Sequence, residues 1–352
     1  MGKKQHLNIM TKNYDAWKIS ISDFKEQKNN YDKLVFFSRF GLLAPSSHNS
    51  QPWEFEIDEK KLSIQIFKST KRILPVGDPK DTLSYISIGC AIENIIIAAD
   101  FFGFTAQVMY ENDPENNLCA TIQFTESNKQ SSELGHLFHQ IEKRIVNRGK
   151  YEDRIPADDF LKKIQQLYPG DYRIVFIKDP QTISLVGNIV NQASIELMDS
   201  RTFRKELSKH VKNNFTKSHV GIPAFGMGIN NAISLLVPLL ARFVNLDKLS
   251  EKQNAKLFAR HTPVIAVILS REDGKKDKII SGNLYEKTSL YSISEDIKTS
   301  PWGGIIVHEE LREKLRQILK TEFYPQFLFR MGYNKKDPRH SPRLLVDSVL
   351  KK

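Results

Sequence analysis

Ten consecutive residues, Ala44-Pro45-Ser46-Ser47-His48-Asn49-Ser50-Gln51-Pro52-Trp53, gather hydroxyls, amides, two prolines and an indole into one short stretch. Every residue type in it suits a turn. Its length, between a helical pattern and a strand pattern, also suits a polar and aromatic rim for a flat ligand. A second segment, Lys143-Arg144-Ile145-Val146-Asn147-Arg148-Gly149-Lys150-Tyr151, sets two arginines four apart near a helix end, where both can face the same way. Two guanidiniums on one face can hold a phosphate through charge-assisted, often bidentate hydrogen bonds. A basic, solvated helix end accounts for the same residues. A third segment, Ser300-Pro301-Trp302-Gly303-Gly304, has glycines that let backbone approach a ligand closely, or that close a helix. The tail, PQFLFRMGYNKKDPRHSPRLLVDSVL, adds Arg339 and Arg343. Metal and thiol chemistry have less support. The two cysteines, Cys90 and Cys119, have no metal-type spacing, and the nine histidines form no HExxH pair. Cys90, within ISIGCAIENIII, reads as a buried thiol.

The elements that must position these segments follow from periodicity. Residues 31–43 (YDKLVFFSRFGLL) have helical apolar spacing, and WEFEID and LSIQIF alternate like two paired strands. DPKDTLSYISIGCAIENIIIAADFFGF predicts a long buried helix, with Asp78 or Asp81 at its start and Gly103 at its end. CATIQF is a strand, and a polar run after it places a boundary near residue 130. Helices are predicted through HLFHQIEKRIVNR, DDFLKKIQQLY, TISLVGNIVNQASIELMD, residues 281–298 and HEELREKLRQILK. YRIVFIKD, TPVIAVILS and YPQFLFRMGY read as strands. Residues 200–260 break this rhythm with a basic helix, GIPAFGMG and an apolar run, and read as an inserted helical lid offering Phe225, Met227 and Phe243. The fold class is α+β, in α/β layers.

With 352 residues the chain exceeds the usual single-core size, so two structural halves or a large domain with insertions are expected. Hydrophobic content of 40% and charged content of 26% are those of an ordinary globular protein. The 52 Lys+Arg against 41 Asp+Glu give +11, but the lysines are scattered among acids and amides, and no RNA-binding or finger signature accompanies them. No nucleic-acid partner is expected. The N-terminus has no apolar signal region, and His6 stands where myristoylation needs Ser or Thr. The longest uncharged apolar run, residues 232–241 (AISLLVPLLA), is too short to span a bilayer and contains Pro238. A cytoplasmic protein with no membrane partner is the expectation.

The first segment resembles the A-P-S-x-x-N-x-Q-P-W stretch of the FMN-dependent nitroreductase superfamily and keeps each fixed position. The second is similar to R-R-x-T-N-R-x-x-[FY] of one nitroreductase branch, the Acg-like proteins, with Val146 in place of Thr. The long apolar helix also resembles that branch, as scaffold. The resemblance implies a nitroreductase-like fold and one set of cofactor contacts. Pro45, Ser46, Ser47 and Asn49 would touch the flavin, with Gln51 beside them holding the loop together with Trp53. Arg144, Asn147 and Arg148 would contribute to the FMN phosphate site. Trp302, Gly303 and Gly304 would form the turn at the flavin edge. Arg339 and Arg343 would close the phosphate site, Arg343 in the better-aligned position.

In that family two subunits share each flavin site. Here the Ser/Asn/Gln loop occurs only in residues 1–130, and the arginines, the Trp-Gly-Gly turn and the basic tail only in residues 131–352. The resemblance therefore implies two nitroreductase-like halves folded as a pseudo-dimer, with one FMN per chain, so that a monomer suffices. It implies NAD(P)H-dependent two-electron reduction of a small-molecule acceptor, such as a nitroaromatic or quinone, with no obligatory catalytic side chain. If the lid over the flavin excludes substrate as well as solvent, the alternative is an FMN-binding or FMN-sequestering protein with little turnover.

Overall fold

The structure is a computed structural model that describes residues 12–127 and 132–351. The boundary expected near residue 130 and the extreme N-terminus lie outside the described residues.

Asn29 accepts a hydrogen bond from the Asp32 amide and so starts α1 (Asn30–Gly41), which buries Leu34, Phe36, Phe37 and Phe40. The expected strand pair forms as β1 (Trp53–Asp58) and β2 (Ser63–Lys68), whose core-facing residues include Phe55, Ile64 and Ile66. The long apolar helix is α2 (Thr82–Phe101), buried along nearly its whole length. Its cap is Asp78, whose carboxylate accepts from the Leu83 and Ser84 amides; Asp81 instead takes a left-handed φ of 53° and caps nothing with its side chain. Gly103 ends the segment at φ 84°. After it comes a strand that periodicity had not singled out, β3 (Phe104–Tyr110), and then β4 (Leu118–Glu126). The exposure of β3 alternates along the whole strand, but FTAQVMY alternates apolar with polar residues only as far as Val108, which weakens the sequence pattern. The four strands make an antiparallel sheet in the order β1-β2-β4-β3.

A second antiparallel sheet follows a different route through the chain. The helix α3 (Ser132–Ile141) leads to α4 (Asp158–Gln166), β5 (Tyr172–Ile177), α5 (Pro180–Asp199) and α6 (Arg201–His210). Two short strands, β6 (Val211–Lys212) and β7 (Ile222–Pro223), pair in parallel before α7 (Asn231–Ser234), α8 (Val237–Phe243) and α9 (Leu246–His261). The chain then forms β8 (Val264–Ser270), α10 (Lys275–Ser294), β9 (Ile297–Pro301), α11 (Gly304–Val307), α12 (Glu309–Ile318) and β10 (Tyr324–Tyr333). The order is β5-β8-β10-β9, with every residue of β8 buried.

Two helical expectations need correction. The helix expected through Arg148 stops at Ile141, and Val146 bridges to Thr299 while the Asn147 amide donates to the Thr299 carbonyl. The β-branched pair Ile145-Val146 gains more from that strand-like pairing than from another helical turn. The helix expected at 281–298 begins six residues earlier and ends at Ser294, so Ser300 and Pro301 close a strand. The β-branched residues of IKTSP pair with β10.

α2 and α10 cross at the centre of the molecule through Gly89 and Gly282. A methyl group on either would drive into the backbone oxygen of the other helix, at Ile279 and Ile86 respectively. Close approach of two buried helices here requires glycine. The tail then returns to the first sheet. Phe55 donates to the Val349 carbonyl and accepts from the Lys351 amide, extending the β1 edge.

Candidate functional site

The loop after α1 is held in a shape that few side chains favour. His48, Asn49 and Gln51 have φ of 51°, 51° and 54°, and each such non-glycine residue costs about 1–2 kcal/mol. Contacts from distant parts of the chain over-determine it. The Asn49 amide donates to the Gly221 and Pro342 carbonyls and accepts from Arg343 at 2.9 Å. Gln51 donates to the His219 carbonyl at 2.7 Å and accepts from the Leu344 amide at 2.8 Å. Ser46 Oγ accepts from the Gln51 amide, and Arg72 clasps the Gln51 carbonyl.

This loop walls two adjoining cavities. The larger, of about 280 Å³, is lined by Pro45, Ser46 and Ser47 on one side and by Trp302, Gly303 and Gly304 on another. A smaller one of about 70 Å³ is lined by Asn49, Arg144, Arg148, Arg339 and Arg343. Pro45, Ser46, His48, Val146, Arg148 and Ile222 belong to both walls. Eleven of the thirteen residues singled out from sequence thus surround one continuous rim. Gln51 and Asn147 do not. Gln51 is fully buried and fastens the loop. Asn147 stands behind the wall, donating to the Lys336 carbonyl at 2.7 Å and accepting from the Gly149 amide. Gln51 spends its amide on backbone, and Asn147 on backbone and on the Asn334 side chain, leaving both to shape the site.

Arg144, Ile145, Val146 and Arg148 all line the small cavity, from a stretch that has left the helix and is held beside β9 by the Val146–Thr299 bridge. The outcome foreseen from helical spacing therefore arises from a different geometry. The four guanidiniums are held unequally. Arg144 lies 3.0 Å from the Glu286 carboxylate and donates to the Leu43 carbonyl. Arg343 donates to Asn49, Pro342 and Leu43, and burial together with Arg144 pushes its pKa down to about 9. Arg148 makes one long hydrogen bond, 3.4 Å to the Gly226 carbonyl, and its accessible surface is turned to the cavities. Desolvation lowers its pKa from the usual arginine value. Arg339 is exposed at the mouth, 5.9 Å from the Phe225 ring.

One carboxylate, Glu286, opposes this cluster from behind, and burial raises its own pKa to about 7. His48 and His340 add no charge near neutrality, since burial lowers them to about 3 and about 4. The small cavity is therefore strongly positive and fits a multiply charged anion. The larger cavity is mostly apolar, and the Trp302 indole N–H is buried there without an acceptor among the described residues. No group of three or more His, Cys, Asp or Glu among the described residues could hold a metal.

Several wall residues lacked a sequence signal. Leu83, Ile86, Ser87 and Cys90 line the larger cavity from one face of α2, which had been read as scaffold alone. Their spacing of three, four and seven marks one helical face, but nothing in sequence says which partner that face meets. Phe203 and Leu207 on α6 and Asp247 on α9 close the far side. Phe225, Met227 and Phe243, the candidate lid residues, do not line the larger cavity.

No protein-family model matches the chain. An uncharacterized protein of Mycobacterium tuberculosis (strain H37Rv) is 23% identical over 315 residues, covering 87% of this chain and 89% of that protein. A protein of the same strain named "Putative NAD(P)H nitroreductase" is 21% identical over 295 residues, covering 83% and 82%. Among solved structures, a protein from Anabaena variabilis described as a "putative nitroreductase" aligns over 92% of this chain and 91% of its own at 10% identity and a TM-score of 0.47. The FMN-dependent nitroreductase NfnB of Mycobacterium smegmatis, in complex with NADPH, aligns over 62% and 97% at 11% identity and a TM-score of 0.41.

Proposed function

We propose that the chain binds one FMN across the two adjoining cavities and acts as an FMN-dependent oxidoreductase of nitroreductase type. One observation carries the reading: an apolar cavity of about 280 Å³ shares its wall with a small cavity ringed by four arginines. An apolar, aromatic space joined to a concentrated positive charge fits a flat ring bearing a phosphate through a short polar linker. The relative named as an NAD(P)H nitroreductase points the same way.

Arg148 and Arg339 are the cations with donors to spare and would take the phosphate directly. Arg144 and Arg343, fastened to Glu286, Leu43 and Asn49, would set the field around it. Pro45, Ser46 and Ser47 would border one side of the ring, and Trp302, Gly303 and Gly304 the other. When bound, FMN supplies two-electron redox chemistry between a nicotinamide donor, NAD(P)H, and a small acceptor such as a nitroaromatic or quinone. The protein's part is to position the ring and exclude water. α6 and the start of α9 shield the larger cavity through Phe203, Leu207 and Asp247. Burial keeps His48 neutral, and redox chemistry carried by a flavin needs no side chain as an obligatory base.

The site draws on residues 45–49 and on residues 144–343, which supports two halves folded as a pseudo-dimer with one site per monomeric chain. The absorbance of the purified protein with its cofactor stoichiometry tests this: one FMN per chain is expected. No flavin absorbance overturns the proposal, and two FMN per chain overturns the composite of halves. Bleaching of the flavin by NADPH or NADH, followed by turnover with a quinone, is expected of an enzyme. Tight FMN with no bleaching would replace that activity with sequestration.

A further inference from the structure

On the outer side of residues 200–260, α7 and α8 follow one another almost without a break, and their packing is inverted. Ser234, Val237 and Ala241 face inward against Val211 and Ala224. The outer face carries Ile233, Leu236, Leu239, Leu240 and Phe243, spaced three or four apart and each more than a third exposed. Phe243 is 63% exposed, and Leu249 at the start of α9 is 73% exposed. A surface helix ordinarily turns its large apolar side chains to the core. Here the small residues take the core and the large ones meet water. Exposed apolar residues scattered singly need no explanation, but a stripe of them marks an interaction surface.

Charge indicates what covers it. Residues 200–260 hold eleven Lys and Arg against three Asp and Glu. Glu206 is buried, accepting from the Val76 and Gly77 amides, and Asp247 lines the cavity, which leaves Glu251 on the surface. α6 lies along α8 and exposes Lys205 and Lys209; Arg242 and Lys248 flank Phe243. Among the described residues, none of these four cations pairs with a carboxylate. A second copy of the chain would bring the same positive rim against itself. An anionic bilayer satisfies both features, with its acyl boundary receiving the leucines and its headgroups the lysines.

We propose that this face docks reversibly on anionic lipid membranes, with α8 lying in the interface. From sequence alone, a membrane-surface protein using the lysines and the apolar run at 232–241 ranks third, behind an FMN enzyme and an FMN-sequestering protein, and that run is too short to cross a bilayer. Lying on one needs only an apolar face and a basic rim. The inference stands apart from the cofactor, since none of the exposed apolar residues and none of the four cations lines either cavity.

The test is co-sedimentation of the full chain with vesicles of phosphatidylcholine, alone or with roughly one third phosphatidylglycerol. Binding to the anionic vesicles is expected, at least about tenfold stronger than to neutral ones, and weakened when salt rises from about 0.1 to about 0.5 M. The Leu239→Glu/Phe243→Glu variant should lose at least about tenfold in vesicle binding with an unchanged melting temperature. Lys205→Glu/Lys209→Glu leaves the apolar face intact and should lose the preference for anionic lipid, so the test survives if the first variant fails to fold. Equal failure to bind both vesicle types overturns the proposal. So does a wild-type dimer in sedimentation that the Leu239→Glu/Phe243→Glu variant converts to monomer, because the face would then be a protein interface.

Discussion

Removing Arg148 should separate the phosphate from the flavin ring as sources of affinity. Its guanidinium has one internal hydrogen bond, at 3.4 Å, and no carboxylate partner, while desolvation already depresses its pKa. It is thus a cation whose countercharge would come from the ligand. In Arg148→Ala a charge-assisted contact worth about 1.5–3 kcal/mol is lost, which weakens FMN binding roughly 10- to 100-fold. Riboflavin has the same ring without the phosphate, and its affinity should be unchanged. The melting temperature without flavin should stay level, because Arg148 is exposed in the cavity wall and makes only one long internal hydrogen bond. Fluorescence quenching titrations of both flavins, on wild type and variant, give the answer. Unchanged FMN affinity, or an equal loss for FMN and riboflavin, would refute the assignment of the small cavity to the phosphate.

Three further outcomes follow from the buried contacts. Asn49→Ala takes the side-chain donor away from the Gly221 and Pro342 carbonyls and one acceptor away from the Arg343 guanidinium, so calorimetry should show a loss of about 2–3 kcal/mol; an unchanged melting temperature would mean that the loop is fastened elsewhere. Gly282→Ala puts a methyl group into the backbone of α2 at Ile86 and should cost about 3 kcal/mol, measured by chemical denaturation, whereas Gly135→Ala, with open space at its Cβ, should cost nothing measurable. Glu286 has a folded pKa of about 7 against a usual value of 4.5. The folded state therefore holds this proton more tightly, and the stability it contributes is full below pH 4.5 and lost as pH rises through 7. Glu286→Gln should flatten that decline by on the order of 1–3 kcal/mol in denaturation curves taken at pH 5 and pH 8; an unaltered slope would place the titration on another group.

The strands and long helices were legible because burial imposes a period that sequence records directly: WEFEID and YPQFLFRMGY became strands at the residues expected, and LSIQIF did so shifted by one residue. Elements whose form depends on a partner were not. Residues 142–148 carry helical spacing, yet Val146 finds Thr299 and the backbone extends. The end of α10 was blurred for the same reason, since β9 exists only by pairing with β10. At the site, the residue types of the loop, the arginines and the Trp-Gly-Gly turn could be read as a ligand-binding set, and the structure gathers eleven of those thirteen residues round two joined cavities.

By itself, then, the sequence determined the residue types at the site and the periodic elements that carry them, because local spacing and side-chain chemistry are properties of neighbours along the chain. Tertiary structure decided which arginines keep free donors, which amides fasten the loop, and that the leucines of α8 face outward. Each of those depends on groups tens to hundreds of residues away. Hydrogen-bonding capacity is spent wherever folding brings a partner, and no local pattern records where that will be.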